Sequence, residues 1–280
     1  MKIYDYILCS GSGNRFLLFD TLRSDLSGLN IAAFAAEELH RFGVDGLLLL
    51  TRDGRGRFGM RMFNTDGSEA EMCGNGIRCF ARYLHDFGLT EKEEFTVETG
   101  AGILVPRLQI EAGKVTGVRV DMGEPVLEGE KIPVSGFGMN RVIEEDIEVK
   151  GKIYKMTCVS MGNPHCVIFV EDAEAFPIYE LGASFESHLA FPRKTNTEFV
   201  EVRDRQHVRM RVWERGAAVT LACGTGSCAT AVAGVLTGRT DRKVEVELDG
   251  GKLTVEWDEA TNHVFMTGPA ELVFTGEIAD

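Results

Sequence analysis

The sequence predicts an α+β protein made of two pseudo-symmetric, duplicated domains, each a curved antiparallel or mixed sheet, barrel-like, wrapped around a central helix. Three observations predict this fold class: an internal repeat at a shift of about 150 residues, many short strand patterns, and two apolar helices that each follow a Cys-Gly-x-Gly element. The length of 280 residues agrees, since it is nearly twice that of a typical domain of ~150 residues.

The repeat is held in one register along most of the chain. Residues 60–64 (MRMFN) match residues 210–214 (MRVWE), and nine residues after each block comes a Cys-Gly-x-Gly element, at 73–76 and at 223–226. A common register over so long a stretch is hard to produce by chance, so we interpret the chain as two homologous halves. The predicted domains are residues 1–121 plus 267–280, which carry Cys73, and residues 122–266, which carry Cys223.

Strand patterns alternate with turn signals in both halves. In chain order, strands are predicted at 4–9, 16–19, 47–51, 60–63, 95–97, 102–110 and 115–121, and then at 155–160, 166–170, 244–248, 251–257 and 263–266. The charge-rich stretch 129–149 has no counterpart at the repeat shift, and we expect it to connect the two domains.

Helices are predicted where alanine and leucine are rich and a glycine follows. The first covers Ile31–Arg41 and is stopped by Gly43, and the second covers Ile77–Phe87. The third, Cys228–Leu236, reads CATAVAGVL and is apolar on all sides, so we expect it to be buried on all sides.

Composition excludes several classes of function. With 30 basic and 43 acidic residues the formal charge is −13, which argues against a nucleic-acid partner. No apolar run approaches the ~20 residues of a membrane span, and Lys2 and Asp5 interrupt what would be the apolar core of a secretion signal. Seven cysteines, an odd number, fit a reducing compartment, so a cytoplasmic location is expected.

The duplicated cysteines are the first candidates for chemistry. Each should lie at a helix N-terminus, where unpaired backbone N–H groups and the helix dipole favour anions, so we expect a lowered thiol pKa. The flanking glycines allow the same N–H groups to hold a carboxylate or phosphate. A small core residue is the alternative for one cysteine alone, but two cysteines in register favour a function.

Zinc binding and other known motifs fit less well. Cys73 with Cys79, and Cys223 with Cys228, lack the C-x₂₋₄-C spacing of zinc sites, so Cys79 and Cys228 are expected in the core. Cys9, Cys158 and Cys166 are expected to pack on strands. A dinucleotide-binding GxGxxG fails at Phe16, and neither a P-loop nor a GxSxG element is present. His165 alone would be a structural residue, but its place beside a Gly-Asn turn favours a function.

Two thiols, one from each half, match the needs of one reaction. If the halves face each other, one thiolate removes an α-proton and the other thiol delivers a proton to the opposite face. Helix N-termini would stabilise the substrate carboxylate as it gains enediolate character. This chemistry requires no metal, pyridoxal phosphate or nucleotide, so the sequence predicts a cofactor-independent amino-acid racemase or epimerase.

The motifs resemble the diaminopimelate epimerase family along essentially the whole chain. They are FNTDGSEAEMCGNGIRC (63–79), SMGNPHCVIFV (160–170), TNTEF (195–199), VWERGAAVTLACGTGSC (212–228) and MTGPAELVFTGEI near the end. The resemblance implies interconversion of LL- and meso-diaminopimelate, a step that supplies lysine and peptidoglycan precursors in bacteria. It implies a small amino-acid substrate, no membrane partner and an expected homodimer.

The resemblance also implies roles for individual residues. Cys73 and Cys223 resemble the acid–base pair, with His165 and Glu214 as polar residues that assist deprotonation. Residues resembling the substrate-binding set are Asn14, Asn64, Gly74, Asn75, Asn163, Asn196, Glu214, Arg215, Gly224 and Thr225. Arg215 suits the distal carboxylate because a guanidinium binds a carboxylate through two hydrogen bonds.

Three positions depart from the family pattern: Arg15, Gly46 and Val219. They keep open an epimerase or racemase that acts on another amino acid, such as histidine or proline. An alternative from a different class is a thiol redox sensor, or a non-catalytic amino-acid-binding protein, because two acidic thiols close together oxidise easily.

Overall fold

The computed structural model describes residues 2–279 and divides into two compact units. Unit 1 comprises Met1–Val120 and Thr267–Asp280, and unit 2 comprises Asp121–Met266. We describe each unit by itself; that they are the two halves of an epimerase stays a prediction.

Unit 1 contains a mixed sheet of short strands. Its elements are β1 (Ile3–Gly11), β2 (Asn14–Asp20), α1 (Ile31–Phe42), β3 (Gly46–Arg52), β4 (Phe58–Phe63), β5 (Glu69–Ala70), α2 (Gly74–Asp86), β6 (Val97–Thr99), β7 (Gly102–Leu104), β8 (Arg107–Glu111) and β9 (Lys114–Asp121), with a late strand Glu271–Ala279. The strand order is Glu271–Ala279, β1, β2, β3, β4, β6, β7, with β5 on β4. β2 and β3 run parallel, as do β4 and β6, and β8 and β9 form a hairpin.

The two helices of unit 1 begin and end at identifiable caps. Asn30 caps α1 by accepting a hydrogen bond from the Ala33 N–H, and Gly43 ends α1 in the left-handed conformation. α2 begins at Gly74 with Cys73 as its N-cap, three residues earlier than the sequence predicts. α2 packs against β1, β2, β3 and β4, so the sheet curves around it.

Unit 2 repeats this plan with a larger sheet. Its elements are β10 (Glu145–Val149), β11 (Lys152–Ser160), β12 (Pro164–Val170), α3 (Ile178–Glu186), β13 (Asn196–Val202), β14 (His207–Glu214), β15 (Ala218–Thr220), α4 (Gly224–Leu236), β16 (Lys243–Leu248), β17 (Gly251–Trp257) and β18 (Val264–Gly268); we number the late strand of unit 1 β19. The strand order is β10 to β14 in sequence, then β16, β17 and β18, with β15 on β14.

Helix α4 is the centre of unit 2, as its apolar sequence predicts. Every residue from Gly226 to Gly234 is buried, and the helix contacts strands β11 to β14, β16 and β17. A helix without charge is stable in this position because strands cover it on all sides. The predicted α+β class, with a sheet wrapped around a central helix, is confirmed.

The predicted strand 102–110 is two strands, β7 and β8, and two features of unit 2 also differ from the sequence prediction. Residues 129–149 do not connect the units: Ile132, Val134 and Val142 are buried in a core cluster within unit 2. Helix α3 was not predicted, because a helix of nine residues is too short for a clear periodic pattern. Among the described residues, no helix is both long and apolar enough to span a membrane.

Candidate active site

Cys73 and Cys223 occupy the same position in their units, as the N-cap residues of α2 and α4. Both have extended backbone angles, φ −140° and ψ 115° for Cys73 and φ −128° and ψ 109° for Cys223. Each sulfur accepts a hydrogen bond from the N–H three residues later, at 3.4 Å from Gly76 and 3.3 Å from Gly226. Both thiols therefore lie at a helix N-terminus, as the sequence predicts.

The third residue of each helix has no room for a side chain. A Cβ on Gly76 would lie 2.9 Å from Cδ2 of Leu48, and a Cβ on Gly226 would lie 2.7 Å from Oε1 of Glu198. The Cys-Gly-x-Gly spacing therefore lets the helix start close against strand β3 in unit 1 and strand β13 in unit 2.

In unit 1, the turn between β1 and β2 lies beside the start of α2. Ser12 and Gly13 both have positive φ, 50° and 88°, which is the backbone of a two-residue hairpin turn. Asn14, which follows the turn, accepts a hydrogen bond from Nδ2 of Asn75 at 2.5 Å. Asn14, Gly74 and Asn75 are thus brought together at the Cys73 end of α2.

A buried arginine holds the same region together. Arg78 is 0% exposed, and its guanidinium donates to the Gly74 carbonyl (3.1 Å), the Ser12 hydroxyl (2.8 Å) and the Pro269 carbonyl (3.1 Å). It connects α2, the β1–β2 turn and the segment before β19. Burial raises the pKa of Cys73, and the positive charge of Arg78, which favours the thiolate, opposes part of that rise.

In unit 2, two buried side chains and the half-buried Asn163 form a hydrogen-bonded chain next to Cys223. Nδ1 of His165 lies 2.7 Å from Oε1 of Glu198, and Nε2 of His165 lies 2.9 Å from Oδ1 of Asn163. His165 and Glu198 are both 0% exposed. A carboxylate on one ring nitrogen fixes the orientation of the imidazole, so Glu198 positions His165.

The pKa values of the two thiols differ from the lowered values that the sequence predicts. Burial raises the pKa of Cys73, although the N–H groups of Gly76 and Asn75 oppose it. The pKa of Cys223 is raised well above its ordinary value, first by burial and then by the carboxylates of Glu214 and Glu198. Desolvation outweighs the helix dipole because the sulfurs are enclosed.

Glu214 ends strand β14 close to Cys223. It accepts a short hydrogen bond from the Thr220 hydroxyl, and burial raises the pKa of its carboxyl group. Thr225 contacts the Cys223 sulfur at 3.5 Å. The structure therefore places Glu214, Gly224 and Thr225 around the second thiol, together with His165.

The remaining predicted residues lie on loops or at the start of a strand. Asn196, the first residue of β13, joins the start of β12 to the turn after β14, since its Nδ2 donates to the Pro164 carbonyl (2.8 Å) and its Oδ1 accepts from the Arg215 N–H (2.9 Å). The Arg215 side chain is exposed, and its Nη1 donates to the Arg193 carbonyl at 3.1 Å. Asn64, in unit 1, follows β4 and donates to the Ser68 hydroxyl at 3.0 Å.

One cluster has the residue types of a metal site. His165, Glu198 and Cys223 offer ligand atoms within 4.8 Å of one another. An ion bound by both His165 and Glu198 would hold their N and O atoms about 3.3 Å apart, given metal–ligand bonds of ~2.0–2.2 Å in tetrahedral geometry. The observed separation is 2.7 Å, which is that of a hydrogen bond. We therefore interpret the cluster as a hydrogen-bonded group.

Unit 1 has a cavity that does not lie at the cysteine. Its volume is about 540 Å³, and Asp20, Arg23, Tyr83 and Gly276 are among its lining residues. None of the predicted site residues lines it. In each unit we place the candidate functional residues at the start of its own cysteine helix, because the titratable and nucleophilic groups of that unit lie there, whereas cavity size alone carries no chemistry.

The sequence reading missed Glu198 and Arg78. Both lie within motifs singled out above, TNTEF and CGNGIRC. The available signal was a charged residue at a position whose neighbours are expected to be buried, since buried charges are rare unless they are paired.

Comparison with known proteins agrees with this arrangement. A family model described as diaminopimelate epimerase matches residues 6–128 and 157–273. A diaminopimelate epimerase of Moorella thermoacetica is 54% identical over 275 residues, covering 97% of this chain and 98% of that protein. One of Methanococcus maripaludis is 51% identical over 269 residues, covering 96% and 97%.

Solved structures share the fold at low sequence identity. A PhzF-family phenazine biosynthesis protein of Bacillus anthracis has a TM-score of 0.70 at 19% identity and covers 100% of both chains. A hydroxyproline epimerase of Agrobacterium vitis, with bound trans-4-hydroxy-L-proline, has a TM-score of 0.67 at 14% identity and covers 99% of this chain and 92% of its own. The match over nearly the whole chain at about half identity establishes that this chain belongs to the diaminopimelate epimerase family.

Proposed function

We propose that the protein converts LL-diaminopimelate to meso-diaminopimelate and back, with Cys73 and Cys223 as its acid–base pair. The observation that carries the proposal is that each unit places one cysteine as the N-cap of a buried helix. Family membership supports the substrate, because the relatives at about half identity are diaminopimelate epimerases.

Inversion at an α-carbon needs a base on one face and an acid on the other. One cysteine, as a thiolate, removes the α-proton and becomes a thiol. The other cysteine, as a thiol, delivers its proton to the opposite face and becomes a thiolate. The two transfers leave the charge of the pair unchanged, so the reaction needs no cofactor for proton balance.

The negative charge that develops on the substrate carboxylate needs stabilising donors. The backbone N–H groups at the starts of α2 and α4 suit this role, with Gly74 and Asn75 in one unit and Gly224 and Thr225 in the other. Two polar side chains, His165 and Glu214, lie near Cys223 and support its proton transfers.

The distal end of the substrate carries a second amino and carboxyl group, and we assign its recognition to Asn64, Asn163, Asn196 and Arg215. The guanidinium of Arg215 suits the distal carboxylate. Asn196 supports this role because it holds the backbone N–H of Arg215 and fixes the start of that loop. Asn14, hydrogen-bonded to Asn75, supports the first substrate loop.

Two of the three departures from the family pattern, Gly46 and Arg15, favour no other substrate. Gly46 has a structural reason, since a Cβ there would lie 2.9 Å from Cε of Met62 and 3.2 Å from the Phe63 carbonyl. Arg15 is exposed and donates its N–H to Asp45 at 2.7 Å. Histidine and proline have no distal carboxylate, so with either as substrate Arg215 and Asn196 would have no carboxylate to bind.

The test is α-proton exchange in D₂O and epimerisation, measured on LL-diaminopimelate. Cys73→Ser and Cys223→Ser should each lower turnover by about 10²–10⁴, as expected for loss of a general acid or base. Cys158→Ala is the matched control, because Cys158 is 1% exposed and packs in a different core cluster. Near wild-type turnover in either serine variant contradicts the two-cysteine mechanism.

A substrate panel separates the remaining readings. Exchange with histidine or proline, but not with diaminopimelate, would indicate a different amino-acid epimerase. A redox sensor or a binding protein would exchange no α-proton under reducing conditions. The odd number of seven cysteines supports a cytoplasmic location, and the net charge of −13 supports a small-molecule partner over nucleic acid. A homodimer stays a prediction.

A further inference from the structure

The two cysteines occupy equivalent positions, but the buried charged side chains near them have opposite signs. Strands β2 and β3 of unit 1 pair in parallel with Phe16 opposite Gly46, and β12 and β13 of unit 2 pair in parallel with His165 opposite Asn196. Two residues further along the second strand of each pair stand Leu48 and Glu198. The residues corresponding to His165 and Glu198 in unit 1 are therefore Phe16 and Leu48.

The same correspondence follows from the helices. The glycine at the third position of α2 faces Leu48, and the glycine at the third position of α4 faces Glu198. Unit 1 thus presents an aliphatic side chain to the start of its cysteine helix, whereas unit 2 presents a fully buried carboxylate.

The helices themselves differ in the opposite sense. The fifth residue after the cysteine is Arg78 in α2 and Cys228 in α4. Arg78 is fully buried and bound to the Gly74 carbonyl, one residue from Cys73. Unit 1 therefore has a buried cation near its thiol, and at the same helix position unit 2 has an uncharged residue.

The other titratable groups near each thiol keep this difference. Near Cys73 they are the thiols of Cys9 and Cys79, which are neutral when protonated. Near Cys223 they are His165, Glu198 and Glu214, that is, two carboxyl groups against one imidazole. The ligand atoms of His165, Glu198 and Cys223 lie within 4.8 Å of one another, and Oε2 of Glu198 is buried with no hydrogen-bond partner.

We propose that these buried charges divide the roles of the two cysteines: Cys73, near Arg78, ionises at lower pH, and Cys223, near Glu198, holds its proton to higher pH. The inference rests on the proposed two-cysteine mechanism. Glu198 acts as a positioning residue, through His165 and through its charge. A cation within ~4–6 Å of an acidic group lowers the pKa of that group, and an anion at this distance raises it, each by about one to three pH units.

The direction of the thiol shifts agrees. Burial raises the pKa of both sulfurs, but Arg78 opposes the rise at Cys73. At Cys223 the carboxylates of Glu214 and Glu198 add to it. Cys73 is therefore the thiol that ionises first, and Cys223 is the thiol that holds its proton longer as the pH rises.

The test is alkylation of the full-length, reduced protein by iodoacetamide from pH 5 to pH 10, with Cys73 and Cys223 quantified as separate peptides by mass spectrometry. Only the thiolate reacts, and the pH midpoint of each curve is independent of how accessible the sulfur is. We expect the midpoint of Cys73 to lie at least about one pH unit below that of Cys223. Equal midpoints, or a lower one for Cys223, overturn the inference.

Two pairs of variants assign the cause. Glu198→Gln, which keeps the shape, should lower the Cys223 midpoint and leave Cys73 unchanged. Glu201→Gln, on the same strand, should move neither. Arg78→Lys should keep the Cys73 midpoint low, and Arg78→Met should raise it; if Arg78→Met does not fold, Glu198→Gln alone decides. An unchanged Cys223 midpoint in Glu198→Gln overturns the role of Glu198.

This outcome is separable from the proposed function. If Cys73→Ser and Cys223→Ser keep their turnover, the acid–base assignment is wrong, whatever the order of the two midpoints. If both lose turnover but the midpoints are equal or reversed, the two-cysteine mechanism stands and only the division of roles is wrong.

Discussion

Replacing Gly226 with alanine should destabilise helix α4 far more than replacing Gly76 with alanine destabilises helix α2. The two glycines hold the same position in their helices, and each has its cysteine three residues before it. In both cases alanine gains up to about 1 kcal/mol from helix propensity. What the new Cβ meets is different, and that difference decides the result.

At Gly76 the new methyl group would lie 2.9 Å from Cδ2 of Leu48 and 3.4 Å from Cβ of Cys73. Cδ2 is the end of a flexible aliphatic side chain, which can rotate away. Overpacking of a core costs about 1–3 kcal/mol, so after the propensity gain we expect a net loss of about 0–2 kcal/mol.

At Gly226 the new methyl group would lie 2.7 Å from Oε1 of Glu198 and 3.2 Å from the sulfur of Cys223. Oε1 is the atom that binds Nδ1 of His165 at 2.7 Å, and both side chains are fully buried. Displacing it adds the loss of a charged hydrogen bond, about 1.5–3 kcal/mol. The net loss is therefore about 1.5–5 kcal/mol, some 1.5–3 kcal/mol more than at Gly76.

The assay is amide hydrogen exchange followed by mass spectrometry, which reports the opening free energy of α2 and α4 separately. Gly226→Ala should weaken protection in α4, and Gly76→Ala should weaken protection in α2 by the smaller amount. Gly234→Ala is a clash control on α4, since its Cβ would meet Thr240 at 2.3 Å, away from the cysteine. Equal losses at Gly226 and Gly76, or a larger loss at Gly76, would refute the reasoning.

Two further outcomes follow from buried charge. Because burial raises the pKa of Glu214, the unfolded chain releases that proton at lower pH than the folded one, and folding loses stability as pH rises through the folded pKa. Glu214→Gln should thus unfold at higher urea than the wild type at pH 7 and at the same urea near pH 3. Arg209 is 5% exposed and binds Glu174 and Asp249. Arg209→Met should lower the free energy of unfolding by about 3 kcal/mol. Arg203→Met, at an exposed position, should lower it by ~0–1 kcal/mol in the same urea titration.

Each of these two predictions can fail in a definite way. If Glu214→Gln is less stable than the wild type at pH 7, its carboxyl group stabilises the fold and the desolvation argument is wrong. If Arg209→Met and Arg203→Met unfold at the same urea concentration, burial adds nothing to the Arg209 ion pairs.

The sequence predicted the elements whose signals are local. A central apolar helix was predicted from CATAVAGVL, and the structure buries it among six strands. The placement of Cys73 and Cys223 before helices was predicted from the glycines, and both are N-caps. The start of α1 was predicted correctly at Ile31, but α2 and α4 begin three and four residues before their predicted starts. Glycine has poor helix propensity, and its tight contacts with β3 and β13 come from the tertiary fold.

The prediction of thiol pKa failed for a physical reason. A helix N-terminus is visible in the sequence, and its favourable effect on an anion is about 0.3–1 kcal/mol when exposed. Burial opposes that effect, and burial depends on which strands cover the helix start. The pKa of both thiols is raised as a result, first by burial. Arg78 opposes the rise at Cys73, whereas the carboxylates of Glu214 and Glu198 add to it at Cys223.

The order of residues alone was sufficient for the duplication, the α+β class, the two cysteines and the family, because all four are encoded in residue types at fixed spacing. The tertiary structure alone decided which charged side chains lie near each sulfur. Leu48 and Glu198 are equivalent positions of a repeat, separated by many residues from the cysteine that each helps to enclose. Electrostatic energy depends on distance and burial. Both are set only when strands β3 and β13 pack against their helices.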